Sequence, residues 1–150
     1  MASIFDDVDP TVFRTYAFWA SVLVLKVLAM ALLTARQRFA KKAFANPEDT
    51  KGLPGSKVNL ADPDVERVRR AHLNDLENIL PYLAIGFLYM LTNPPVFLAC
   101  NLFRVVAIAR IVHTLVYAVF VIPQPARGLS WAAGYFITGY MAVHTMLKFL

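Results

Sequence analysis

The stretch TVFRTYAFWASVLVLKVLAMALLTA, residues 11–35, decides the fold class. A helix crosses the hydrocarbon core of a bilayer in about 20 mostly apolar residues. This run exceeds that length, and its only charges are Arg14 near the start and Lys26 within it. Working outward, three more runs of spanning length follow, at residues 71–91, 96–121 and 129–150. The composition agrees: 58% of the 150 residues are hydrophobic, against about 45–50% in an ordinary soluble domain, and the mean hydropathy is +0.52. The expected fold is therefore an all-α membrane protein, an up-down bundle of four transmembrane helices. Little chain remains outside the spans, so residues 1–150 are expected to form a single transmembrane domain. The turns Thr92-Asn93-Pro94-Pro95 and Pro123-Gln124-Pro125 are short enough to make neighbouring helices antiparallel. Pro81 falls inside the second span and is expected to kink it.

The opening residues Asp6, Asp7 and Asp9 stand where a secretory signal would carry basic residues, so this segment is expected not to be one. Lone Cys100 excludes an internal disulfide and a cysteine-based metal cluster. No P-loop, GxGxxG or HExxH pattern occurs. The net charge of +5 does not point to nucleic acid, because the basic residues gather beside a membrane span. The connector from residue 36 to residue 70 carries nine Lys or Arg residues against five acids. The excess of basic residues places it in the cytosol. Much of it reads as a solvated linker, with turn signals at Asn46-Pro47-Glu48-Asp49 and Pro54-Gly55.

The spans contain ionisable groups that a bilayer excludes at a cost of at least ~2.5 kcal/mol each near its centre. They are Lys26 in the first span, Asp75 and Glu77 in the second, and Arg104 and Arg110 in the third, followed by His113 and Tyr117. Such groups are expected to face the bundle interior. At ~1.5 Å of rise per residue, Lys26 lies roughly 15 Å from the cytosolic end of its helix, and Glu77 and Arg110 lie at similar depth. This depth fits a water-accessible pocket that opens to the cytosol. At about 100° per residue, Arg67, Arg70, Asn74 and Glu77 form one stripe, and Arg110, His113, Thr114 and Tyr117 form another. Arg69 and His72 lie on a different side of the second helix, which suggests that it borders more than one partner. Two readings follow. Lys26, Asp75, Glu77, Arg104 and Arg110 can neutralise one another and simply hold the helices together. Alternatively, the excess of arginine at the cytosolic mouth binds an anion, for which the planar guanidinium fork suits carboxylates. His72, His113 and His144 do not have metal-site spacing, and no metal is expected.

The run Val65-Glu66-Arg67-Val68-Arg69-Arg70-Ala71-His72-Leu73-Asn74-Asp75-Leu76-Glu77-Asn78 is more specific. It resembles the signature of the membrane-associated proteins in eicosanoid and glutathione metabolism, and in particular their type-one microsomal glutathione transferase branch, with the prostaglandin E synthases as near relatives. Residues 42–49, 109–114 and 123–127 match in the same order, so the resemblance covers nearly the whole chain. It implies a homotrimer of four-helix subunits that binds glutathione, as co-substrate, between neighbours on the cytosolic side. The implied glutathione contacts are Arg38, Arg69, Arg70, His72, Asn74, Glu77, His113 and Tyr117, with Arg127 as both contact and thiolate-stabilising catalytic residue. Leu73 and Gly128 favour the transferase branch, because the synthases carry a basic residue and a serine there. Thr50 stands where some transferases carry a cysteine, so thiol-triggered activation at that position is not expected.

The expected chemistry is conjugation of glutathione to a hydrophobic electrophile, with reduction of lipid hydroperoxides as a companion activity. The expected membrane is the endoplasmic reticulum, with the mitochondrial outer membrane as the alternative. The alternatives are a prostaglandin E synthase-type isomerase, a non-catalytic lipid-binding membrane scaffold, and an ion pathway along the buried charges.

Overall fold

A computed structural model describes residues 8–150. Four long helices account for most of it: α1 (Pro10–Lys41), α2 (Pro63–Met90), α3 (Val96–Thr114) and α4 (Ala126–Lys148). Each start has a local cause. Asp9 caps α1, its carboxylate accepting from the Thr11 N–H at 2.7 Å and the Val12 N–H at 3.2 Å. These bonds hold the Asp9 carboxyl below its ordinary value. Asp62 caps α2 in the same way, and Pro63 supplies a preset first residue. The acidic residues Asp6 and Asp7, read above as the mark of a non-secretory start, lie outside the described residues.

The basic connector is shorter than the apolar runs suggest. Residues 36–41 continue α1 and residues 63–70 open α2, because neither stretch contains a glycine or an interior proline. Lys42, in the left-handed region at φ 51°, ends α1. Between the helices lie a single turn of 3₁₀-helix (Pro47–Thr50) and a two-residue parallel clip of β1 (Ala43–Phe44) with β2 (Lys57–Val58). Lys41 Nζ reaches Asp64 at 2.6 Å, tying the end of α1 to the start of α2. This bond, with that from Arg67, holds the Asp64 carboxyl below the usual carboxylate range. α2 runs unbroken through Pro81.

α1 packs against α2 and α3, and α4 packs against α3 and α2. The buried positions of α2 recur at helical spacing: Val65, Val68, Ala71, Asp75, Ile79, Tyr82 and Gly86. Phe103 of α3 sits at the centre, with the rings of Tyr16, Tyr82 and Tyr89 5.3, 6.5 and 6.3 Å away. The periphery is apolar: Phe97 is 84% exposed and Leu32 74%. In water a surface of this kind marks an interaction site. Among the described residues, two segments are by themselves long and apolar enough to cross a membrane, Pro10–Lys41 and Val96–Val119. α2 is diluted by the charges of its first turns, and α4 by Gly, Tyr, Thr and His.

One expectation is corrected. Glu77 and Arg104 do not face the interior of this bundle; both are exposed. Glu77 follows buried Asp75 by two residues, about 200° around the helix, so the two carboxylates must face opposite ways. Among the described residues Arg104 joins no carboxylate and contacts Asn101 Oδ1 at 3.4 Å.

Candidate functional site

The regular winding of α3 stops at Thr114. Leu115–Val119 form a π-helical turn, closed by the Phe120 N–H donating to the Leu115 carbonyl at 2.8 Å. The extra residue in such a turn re-aims the side chains around it, which is why π-bulges gather at functional sites. Val121 follows at φ 48°, a left-handed conformation that strains a β-branched residue. The chain then turns through Pro123-Gln124-Pro125 into α4. Gln124 Oε1 accepts from the Gly128 N–H at 2.9 Å and so caps the new helix. A Cβ at Gly128 would stand 3.0 Å from that oxygen, so glycine suits this close approach.

This geometry sets Arg127, on the first turn of α4, over the Tyr117 ring, with its guanidinium carbon 4.5 Å from the centroid. His113, one turn earlier on α3, meets Tyr117 edge-on at 5.5 Å. Asn74 closes the hollow from α2. The cavity, about 310 Å3, is lined by Asn74, His113, Tyr117, Gln124, Arg127, Gly128 and Trp131. No carboxylate lines it. A guanidinium, a phenol, an imidazole and two amides surround a space suited to an anion.

Behind the cavity wall lies a buried ionic group. Asp75 is fully buried and forms ion pairs with Lys26 of α1 and with Arg110 of α3, the latter at 2.6 Å. Thr114 Oγ1 approaches the same carboxylate at 3.4 Å. Three helices are thereby joined at one carboxylate, which meets two cations where one would neutralise it. Glu77 and Arg104 take no part.

The nine candidate residues do not converge within one chain. Asn74, His113, Tyr117 and Arg127 line the cavity just described. Arg69 and His72 line a separate hollow with Ala31, Thr34, Leu73 and Leu76. Glu77 borders a groove between α2 and α4 with Asn78, Pro81 and Tyr135. Arg70 is exposed, Arg38 is partly buried, and neither lines any of these three hollows. The helical rotation of α2 imposes this division. Gln124, Gly128 and Trp131 are lining residues that the sequence reading missed. Trp131 was accessible from its spacing, four residues after Arg127. The π-turn that aims Tyr117 had no sequence signal.

Residues 16–147 match the MAPEG family. The chain belongs to this family. Microsomal glutathione S-transferase 1 of Homo sapiens is 44% identical over 152 aligned positions, covering 99% of this chain and 97% of the relative. The protein of the same name from Mus musculus is 44% identical over 146, covering 95% and 94%. A second branch of the family also matches: prostaglandin E synthase of Mus musculus is 43% identical over 106, covering 71% of this chain and 69% of the relative.

Proposed function

We propose that this chain is a membrane-bound glutathione transferase. It activates glutathione as a thiolate, conjugates it to hydrophobic electrophiles, and reduces lipid hydroperoxides with the same nucleophile. The observation that carries the reading is the cationic, carboxylate-free cavity beneath Arg127 in a chain whose transferase relatives align over nearly its full length. The synthase branch aligns over a smaller share, which favours transferase over isomerase.

In the chemistry, a thiol near pKa 8.5 is mostly protonated at neutral pH, and only its thiolate is a good nucleophile. Lowering that value by about 2 units requires roughly 2.7 kcal/mol of differential stabilisation. Arg127, held over Tyr117 in a partly dry hollow, would supply it. The thiol proton leaves to water, the sulfur attacks the electrophilic carbon, and the leaving group departs with the displaced electron pair. Arg38, Arg69 and Arg70 would hold the two carboxylates of glutathione, and Glu77 its ammonium. Asn74, His72, His113 and Tyr117 complete the contacts.

Because the contacts on α2 lie on separate faces of that helix, the site is completed between copies of the chain, in a homotrimer. All four helices span the bilayer in up-down order as one domain, with the basic connector and the site on the cytosolic side. The endoplasmic reticulum and the mitochondrial outer membrane are the proposed locations. The test is thiolate absorbance when glutathione is added to detergent-purified protein at a pH well below 8.5. A thiolate signal that Arg127→Ala abolishes supports the reading. No signal, with no binding by calorimetry, overturns it.

A further inference from the structure

Arg110 is the largest fully buried side chain in the bundle, and charge neutralisation does not account for it. Lys26 and Asp75 already make a neutral pair. Arg110 adds a second cation to that one carboxylate, and its Nε and Nη1 are buried without hydrogen-bond partners. Unpaired buried donors cost stability. The nitrogen that is fully used is Nη2. It donates to Asp75 Oδ1 at 2.6 Å and to Asn74 Oδ1 at 2.9 Å, and stands 3.4 Å from His113 Nδ1. Asn74 and His113 are both lining residues of the cavity beneath Arg127.

A guanidinium has donors only. The Asn74 atom facing it must therefore be the carbonyl oxygen, which leaves the Nδ2 amide free, with no partner among the described residues. Both Nη2 protons are spent on those two oxygens, so His113 Nδ1 faces the cation at 3.4 Å without a hydrogen bond of its own, and a lone pair is favoured there over an N–H that would point at a donor. The ring proton of neutral His113 then sits on Nε2. Asp75 fixes the direction of Nη2, and Lys26 braces Asp75 from α1. Gly134 of α4 packs against the Arg110 stem, where a Cβ would stand in van der Waals contact, 3.4 Å from Cδ.

The geometry assigns Arg110 as the positioning residue that sets the hydrogen-bond polarity of the cavity. It turns Asn74 and His113 into donors, Nδ2–H and Nε2–H, for an anionic acceptor. That acceptor is a carboxylate or the thiolate of glutathione, so this identification of the ligand rests on the transferase reading. Arg110 itself does not touch the ligand; it acts through two neighbours.

The test reads the histidine tautomer directly. Protein labelled with ¹⁵N-histidine carries three imidazoles, His72, His113 and His144, and His113→Gln assigns the relevant signals. Wild type should show neutral His113 with its proton on Nε2. Arg110→Met leaves the Lys26–Asp75 pair neutral, so the bundle should survive. In that variant His113 should become a tautomer mixture, and KM for glutathione should rise about tenfold, the effect of misorienting one charge-assisted hydrogen bond, with a smaller fall in kcat. Wild-type His113 protonated on Nδ1 would overturn the assignment, and that measurement does not depend on the variant folding. Arg110→Met with unchanged tautomer and unchanged KM would overturn it as well. Wild type that shows the Nε2 tautomer but binds no glutathione would overturn the ligand and leave the polarity standing.

Discussion

Replacing Asp75 with asparagine removes the one carboxylate that holds Lys26 and Arg110 together inside the bundle, while keeping the side chain's shape. Asp75 is fully shielded, Arg110 is 1% exposed, and Lys26 is 11% exposed, so water cannot take over the lost role. At an effective dielectric near 20, two unit charges 4 Å apart interact by about 4 kcal/mol. Two such attractions disappear together. The loss is offset in part, because the new amide oxygen still accepts a hydrogen bond from Arg110, worth about 1.5–3 kcal/mol for a charged donor, and because a neutral amide escapes the desolvation cost of a buried carboxylate. The expected net destabilisation is about 3–5 kcal/mol, the range for removing one partner of a buried ion pair. Loss of helical signal during SDS titration of the detergent-solubilised protein would measure it. Lys26→Met in the same background removes the cation–cation repulsion and should recover about 1 kcal/mol or more, a coupling expected between residues in one ionic network. If Asp75→Asn unfolds within about 1 kcal/mol of wild type, as an ordinary substitution does, the three-helix junction is not a source of stability and the reasoning fails.

Arg127→Ala should lower kcat about a hundredfold, the equivalent of about 2 units of thiol pKa or 2.7 kcal/mol, with glutathione affinity by calorimetry largely kept; equal turnover would remove Arg127 from its role. Glu77→Gln should weaken glutathione binding about tenfold, the loss of one charged hydrogen bond, whereas unchanged affinity would restrict Glu77 to helix packing. Arg69→Ala and Arg127→Ala should each impair activity alone, since they lie in separate hollows. Co-expressed and co-purified, they should regain activity in mixed assemblies, where some sites draw each natural residue from a different copy. A mixture no more active than the average of its parents would refute the shared site.

The helical bundle was legible because apolar run length is a one-dimensional property. The helix ends were less so, since hydropathy falls at the membrane boundary while the helix does not: α1 continues through Arg36 and Arg38 to Lys41. Angular arithmetic along α2 separated Arg69 and His72 from Asn74 correctly, and the structure puts them in different hollows. Applied to Asp75 and Glu77, the same arithmetic would have corrected the expectation that both face inward. The π-turn was not readable. It depends on where the Leu115 and Val116 carbonyls find donors, and nothing in the run Leu115-Val116-Tyr117-Ala118-Val119 distinguishes it from ordinary helix. Tyr117 was placed one turn from His113 by spacing, but its position under Arg127 required the turn into α4.

Two carboxylates of α2, Asp75 and Glu77, show how stability and binding are divided on one helix. Asp75 is satisfied entirely by its own chain, through Lys26 and Arg110. Glu77, two residues on and near the middle of α2, has no ion-pair partner among the described residues and borders the groove between α2 and α4. A charge facing hydrocarbon near the bilayer centre costs at least ~2.5 kcal/mol. On the proposed reading, that cost is relieved when a second copy covers α2 and glutathione brings its ammonium to Glu77. Arg69 and Arg70, exposed on the same helix, gain from the ligand's carboxylates in the same step. On that reading the ligand supplies the counter-charges that the outer face lacks, whereas Asp75 on the inner face already has two cations of its own chain. A ligand that binds only the assembled state stabilises that state by mass action. On the same reading, glutathione binding and subunit assembly are coupled through one helix, whose inner face is fixed at folding and whose outer face is completed only when occupied.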